Sequence, residues 1–280
     1  DDEDSLSDRL DIKHRMNTGA ADIAVIRFPH ISNFTDMNTL SRVGKGALRY
    51  VDRPSELGTA AMVILPGTRN TIGDLLWMRQ TGLEAQILKL HSRGASVMGI
   101  CGGYQMLGEE LSDPEGEENG DGKSTVQRGM GLLPVRTVFG AAKTRSRVKG
   151  CFTHVDGTLK GLSGLPFEGY EIHMGKTFAS GENARPLTEL TASSGQDSAR
   201  REDGTVCGEV LGTYVHGILD SPEAASAIVR GLEEKMGINP KISCVTDLEA
   251  FKASQYDKLA ETLRRYMDID RIYEILEKGL

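Results

Sequence analysis

Two residues in this chain combine a reactive type with a setting suited to covalent chemistry. The first is Cys101, in Gly99-Ile100-Cys101-Gly102-Gly103-Tyr104-Gln105. The short apolar run before it reads as a buried strand, and the segment after it is helix-capable. Cys101 therefore stands on a tight strand-to-helix turn, with its sulfur exposed above a helix N-terminus. Gly99, Gly102 and Gly103 supply backbone angles that residues with a Cβ resist. A thiol at a helix N-terminus is favoured as thiolate, the nucleophilic form. The same helix end offers N–H groups to a developing oxyanion. The competing reading is a buried structural cysteine, a frequent fate of this residue type. The second residue is His216, in Gly212-Thr213-Tyr214-Val215-His216-Gly217. A cysteine nucleophile needs a base that takes its proton and returns it to a leaving amine. Of the six histidines, His216 has the best setting, because it ends a core-like strand and precedes a glycine. His173 is its rival. His14, His30, His91 and His154 lack comparable settings.

The elements that must position this pair alternate in type. Asp22–Phe28 reads as a strand ended by Pro29. Ile31–Asp36 is a polar turn leading to a helix near 36–42. Asn33 and Asp36 there suit a ligand or, more simply, a helix cap. Ala60–Leu65 is a second buried strand, ending at the turn Pro66-Gly67-Thr68. Thr81-x-x-Glu84 has the form of a capping box, opening a helix that ends at Gly94. Strands alternating with helices predict an α/β fold with a doubly wound, largely parallel sheet flanked by helices. Such sheets bind ligands at the carboxyl ends of their strands. Cys101 and the Pro66-Gly67-Thr68 turn both lie at such ends.

The rest of the chain is less expressive. Residues 1–20 are polar and acidic and read as a linker or leading arm. Residues 112–128 are an acidic, Gly-rich loop. Its Gly122-Lys123-Ser124 resembles the end of a phosphate loop, but the earlier glycine is out of place and no apolar strand leads in. Residues 130–178 read as short strands and turns, and 179–204 as surface loops. Asp220 is placed as the N-cap of a helix carrying Pro222 in its first turn. A final helical pair is expected over 247–266 and 270–278, with Leu248, Phe251, Leu259 and Leu263 forming a core stripe.

Composition narrows the function. A net charge of −7 disfavours nucleic acid and anionic membrane as partners. The four cysteines are far apart, with no C-x-x-C pair, so neither a zinc site nor a disulfide framework is expected. That usage suits a reducing cytoplasm. No apolar run is long enough to span a bilayer, and no signal peptide is visible.

The elbow around Cys101 resembles the G-x-C-x-G-x-Q nucleophile elbow of class I glutamine amidotransferases. More narrowly, five blocks in this order resemble the glutaminase domain of the cobyric acid synthases. They are the elbow, Asn33-Phe34-Thr35-Asp36, Leu65-Pro66-Gly67-Thr68, Gly169-Tyr170-Glu171-Ile172-His173-Met174-Gly175 and Gly212–Gly217. The resemblance spans about residues 20–280, so 21–280 is expected to be one glutaminase domain with a helical tail. It implies that Cys101 attacks the side-chain amide of L-glutamine and forms a γ-glutamyl thioester, with His216 serving the leaving ammonia and the hydrolytic water. It implies an oxyanion hole from Gly102 with Gly67 or Thr68, and a glutamine pocket or elbow support from Tyr104 and Gln105. It further implies an ATP-dependent synthetase domain preceding this one, with ATP and magnesium bound there and none expected here. That domain would amidate a corrinoid, adenosylcobyrinic acid a,c-diamide, with ammonia delivered through a channel.

Two departures stand out. Class I enzymes carry H-x-E, in which the Glu orients the His; here the matching residue is Ile218. Glu171 and Glu209 are the candidate replacements. The chain also opens at an acidic stretch, as expected of a fragment cut at an interdomain linker. Rival readings are a cobyrinic acid a,c-diamide synthase, a glutaminase for a cell-wall lipid carboxylate, or a docking module with little activity of its own.

Overall fold

The structure, a computed structural model, describes residues 21–44, 47–118, 120, 122–192, 200–238 and 248–278. The expected leading arm over 1–20 lies outside them. The chain divides into two compact units, Asp1–Ser243 and Cys244–Leu280.

The first unit opens with strand β1 (Ile23–Ile26), a 3₁₀ turn at Phe34–Met37, helix α1 (Asn38–Val43), strand β2 (Leu48–Val51) and helix α2 (Pro54–Leu57). Strand β3 (Met62–Leu65), helices α3 (Thr71–Thr81) and α4 (Leu83–Ser92), strand β4 (Ser96–Ile100) and helix α5 (Gly102–Leu107) follow. Strands β5 (Glu110–Asp113), β6 (Thr125–Arg128), β7 (Val135–Phe152), β8 (Pro166–Ala179), β9 (Thr188–Ala192) and β10 (Arg201–Asp203) come next. Strands β11 (Thr205–Cys207), β12 (Val210–Thr213) and β13 (Val215–His216) and helix α6 (Pro222–Lys235) complete the unit.

One sheet has the order β11-β12-β4-β3-β1-β2, and all its pairings are parallel except β11 with β12. This is the predicted α/β architecture. Every residue of β1, β3, β4 and β12 is buried, as a parallel sheet covered on both faces requires. The carboxyl ends of β1, β3, β4 and β12 lie at the same edge. They lead respectively into Ile31–Asp36, the Pro66-Gly67-Thr68 turn, Cys101, and Tyr214–His216.

A second sheet was not legible in the sequence. Strands β7 and β8, of 18 and 14 residues, pair as a long antiparallel hairpin, flanked by β5, β6, β9 and β10. Residues 130–178 thus hold two long paired strands joined through a 3₁₀ turn at Gly157–Leu162, rather than short strands and turns, and part of 179–204 is β9 and β10. The middle of β7, Gly140–Arg147, is largely exposed and rich in Lys, Arg, Ser and Thr, so it lacks the apolar alternation that marks a half-buried strand.

Three local expectations also shift. Thr81 closes α3, its hydroxyl donating to the Trp77 and Met78 carbonyls, and Gly82 at φ 81° separates α3 from α4. It opens no capping box. Ser221, not Asp220, caps α6 by accepting from the Ala224 N–H at 3.2 Å. In the second unit, helices α7 (Leu248–Tyr266) and α8 (Ile269–Lys278) match the predicted pair, but Leu259 and Leu263 are exposed rather than core.

Candidate active site

Cys101 forms the junction between β4 and α5. Its backbone is left-handed in φ, at 53° with ψ −111°, one of two such non-glycine residues among those described. A residue held there costs about 1–3 kcal/mol and persists only where its surroundings over-determine it. The flanking glycines matter for a different reason from the one expected. Gly99, Gly102 and Gly103 are not at positive φ. They are needed for space: a Cβ on Gly103 would overlap the Leu65 carbonyl oxygen, and one on Gly99 would press on the Gly103 backbone. The sulfur is more enclosed than predicted. Cys101 is 9 % exposed, and its Sγ lies 3.7 Å from the Ile172 carbonyl oxygen, at the floor of a cleft.

His216 and Cys101 meet, side chain to side chain, although 115 positions separate them in the chain. Strand β12 lies beside β4, and a single residue, Tyr214, separates it from β13. The ring of His216 stacks on Tyr170 at 5.3 Å between centroids. Its Nδ1 is 2.8 Å from Oδ2 of Asp36, whose Oδ1 accepts from the Gly217 N–H at 2.9 Å. Burial alone would lower the His216 pKa. The Asp36 charge and hydrogen bond, joined by Cys101, outweigh that and raise it to about 10.

Asp36 is therefore the carboxylate that faces His216, and the expectation for Glu171 and Glu209 is corrected. Glu171 accepts from Ser146 Oγ at 2.8 Å and pairs with Arg201. Glu209 accepts from Ser96 Oγ at 2.6 Å and from the Thr158 N–H at 3.0 Å. Neither reaches the imidazole. The cap reading of Asn33 and Asp36 also gives way: Asn33 makes no side-chain cap, and its amide donates to the Tyr170 hydroxyl at 2.7 Å. His173, the rival base, stacks on Tyr214 at 3.7 Å, and burial lowers its pKa.

The oxyanion candidates come together. The Ile31–Thr68 bridge is bonded through the residues on either side of Thr68: Ser32 N–H donates to the Gly67 carbonyl and Arg69 N–H to the His30 carbonyl. The N–H of Thr68 thus points away from that bridge. An added Cβ on Gly102 would lie 3.4 Å from that nitrogen, so the Thr68 turn and the α5 N-terminus are in contact. Gly67 packs against the imidazole, where an added Cβ would lie 3.0 Å from His216 Cε1. The Thr68 turn is pinned from below by buried Asp74, which accepts from Thr68 Oγ1 and faces His30 Nδ1 at 2.8 Å.

These groups open into a cleft of about 400 Å³. Gln105 lines it, held by its amide donating to the Met174 carbonyl at 2.9 Å and to the Tyr214 hydroxyl at 3.1 Å. Tyr104 does not line it. Its ring lies against Gly212, and its hydroxyl meets Thr205 Oγ1 at 2.8 Å. Tyr104 is thus an interior prop for the elbow rather than a substrate contact. Glu118, Lys143 and Arg69 also line the cleft, and sequence reading singled out none of them. Asp36 had a visible signal, the polar block directly after the first strand, but nothing local tied it to a histidine 180 residues away.

Residues 22–224 match the family model described as the CobB/CobQ-like glutamine amidotransferase domain. A cobyric acid synthase of Ruminiclostridium cellulolyticum is 45 % identical over 282 residues, covering 100 % of this chain and 53 % of that protein. One from Yersinia enterocolitica is 43 % identical, covering 92 % of this chain and 50 % of that protein. The chain thus spans about half the length of the curated relatives it matches. Among solved structures, one described as a glutamine amidotransferase aligns at a TM-score of 0.51 and 21 % identity, covering 77 % of this chain and 99 % of that one. The structure of PurLQS from Thermotoga maritima aligns at 0.53 and 18 % identity, covering 78 % and 99 %. These two likenesses bear on fold alone.

Proposed function

The chain belongs to the CobB/CobQ-like glutamine amidotransferase domain family, and from that premise we propose that it hydrolyses L-glutamine at Cys101 to release ammonia. One observation carries the reading: a cysteine on a strained elbow touches a buried histidine that is itself paired with a buried carboxylate. This is the nucleophile, base and orienting acid of an acyl-transfer triad.

The geometry supports the following steps. With its pKa raised to about 10, His216 is imidazolium at neutral pH, and Cys101 attacks as thiolate. The Cys101 sulfur adds to the amide carbon of glutamine, and the carbonyl electrons move to oxygen. The Thr68 and Gly102 N–H groups receive that oxyanion; losing one such donor typically costs about 10²–10³ in rate. His216 gives its proton to the departing nitrogen, and ammonia leaves the γ-glutamyl thioester. Neutral His216 then takes a proton from water, whose oxygen attacks the thioester and releases glutamate. Asp36 holds the ring and balances its charge throughout.

Beyond hydrolysis, the high identity to full-length cobyric acid synthases supports a destination for the ammonia. The other half of such a protein would be an ATP- and magnesium-dependent synthetase. It would amidate adenosylcobyrinic acid a,c-diamide in the cytoplasm, with residues 21–280 as the glutaminase part. No described helix is long and apolar enough to cross a membrane. The missing H-x-E glutamate gives little support to an inactive docking module, because Asp36 provides a carboxylate at the same ring nitrogen.

The test is ammonia release from glutamine by the chain and by a Cys101→Ala variant, with labelling by a glutamine-derived diazo-ketone. Release by the parent alone and a single adduct on Cys101 are expected. Release that survives the substitution, or an adduct on Cys151, Cys207 or Cys244, would overturn the scheme.

A further inference from the structure

The hydrolytic reading accounts for the amide end of glutamine. It leaves the other end, a carbon bearing one ammonium and one carboxylate, without partners. A free amino acid carries both charges into the cleft, and each must be met there or left desolvated.

The cleft holds groups of both signs. Lys143 reaches it from β7. The β7–β8 register breaks between Val138 and Lys143; Phe139, within that irregularity, and Lys143, at its end, line the cleft. A bulge re-aims the side chains beside it. Lys143 resumes the ladder opposite Met174, whose carbonyl holds Gln105. Glu118 lines it from the segment after β5. Its carboxylate accepts from the Thr71 N–H at the start of α3, and its own N–H donates to buried Asp113 at 3.0 Å. This seats the carboxylate on a helix end, where the Thr71 hydroxyl and the Ile72 N–H also reach it, and the four lone-pair sites of a carboxylate leave capacity for one further donor.

We propose that Lys143 receives the α-carboxylate of bound glutamine and Glu118 its α-ammonium, so that these two residues select a free α-amino acid over other primary amides. The proposal rests on the glutaminase reading. It extends that reading from the reacting bond to substrate choice. Arg69 lines the same cleft.

The experiment measures how well small amides shield Cys101 from alkylation by iodoacetamide, followed by mass spectrometry of the 280-residue chain. This reports binding without requiring turnover. Three probes are used: glutamine; glutaramate, which lacks the α-ammonium; and 4-aminobutanamide, which lacks the α-carboxylate. A charge-assisted contact is worth about tenfold to a hundredfold in affinity. The parent chain should therefore favour glutamine over each truncated amide by that factor. Lys143→Met should weaken glutamine and glutaramate by the same factor while leaving 4-aminobutanamide unchanged. Glu118→Gln should weaken glutamine and 4-aminobutanamide while leaving glutaramate unchanged. Because each variant is judged on the ratio between probes, a general loosening of the loop that carries Glu118 cancels. Equal losses for all three probes, or no loss, would overturn the assignment. If no probe shields Cys101 in the parent chain while glutamine is still hydrolysed at another cysteine, the glutaminase scheme fails instead.

Discussion

Replacing Asp36 with asparagine removes one charge and keeps the shape. The amide oxygen of the new side chain can still accept from the Gly217 N–H, so the turn is retained. What disappears is the anion 2.8 Å from His216 Nδ1. In the native protein burial pulls the His216 pKa down, and Asp36 more than compensates, lifting it from 6.5 to about 10. Without the charge, burial is opposed by Cys101 alone, and the value falls. Each pH unit corresponds to about 1.36 kcal/mol, so the native surroundings favour the imidazolium by roughly 5 kcal/mol. Only part of that is felt in the transition state. The same exchange in a Ser-His-Asp triad lowers kcat by about 10⁴, and we expect a loss of about 10²–10⁴ here. KM for glutamine should change little, because Asp36 does not line the cleft. The assay is ammonia release across pH, paired with the rate of Cys101 alkylation. The alkaline limb of ammonia release should move down from near pH 10, and Cys101 alkylation at neutral pH should slow as its imidazolium partner is lost. Stability carries the same sign. A histidine with a raised folded-state pKa contributes fully below about pH 6.5 and loses that contribution as pH rises toward 10. Asp36→Asn should flatten this decline in thermal unfolding. A kcat within about threefold of the parent, with an unmoved alkaline limb, would refute the role given to Asp36.

Other substitutions probe the supporting structure. Gly103→Ala drives a methyl into the Leu65 carbonyl and should destabilise the fold by about 1–3 kcal/mol or more, read as a fall in thermal midpoint. Asp74→Ala frees the Thr68 turn and should lower kcat about tenfold or more with KM nearly constant, the pattern of a contact made only in the transition state. Glu209→Gln should cost about 1–2 kcal/mol of stability through its bonds to Ser96 and Thr158, yet leave kcat unchanged; a large loss of kcat would return Glu209 to the catalytic set. His216→Ala should cost far more activity than His173→Ala, and the reverse order would exchange their roles.

The parallel sheet and the elbow were legible because their signals are local. Four-residue apolar strands alternate with helices, and a cysteine among glycines announces a turn. Even there, the reason differed: the glycines give clearance to neighbouring backbone, and Cys101 itself adopts the unusual φ. The long hairpin escaped because its Lys- and Arg-rich middle is exposed, so burial left no alternation to read. Asp36 escaped as the partner of His216 because its meaning depends on β1 and β12 ending at one edge of the sheet. Tyr104 and Gln105 are adjacent, yet one props the interior and the other faces the cleft, a distinction set by a helical turn of about 100° per residue.

The sulfur and the imidazole are carried by different sheets. Cys101 hangs from β4, and His216 belongs to β13, which is bonded to the long hairpin through β8. Their spacing works as a caliper whose two jaws are mounted on separate plates. Any force that slides the hairpin over the parallel sheet is registered first as a gap between donor and acceptor. Turnover should accordingly respond to distant wedges between the plates well before the protein melts, and ammonia production would serve as its strain gauge.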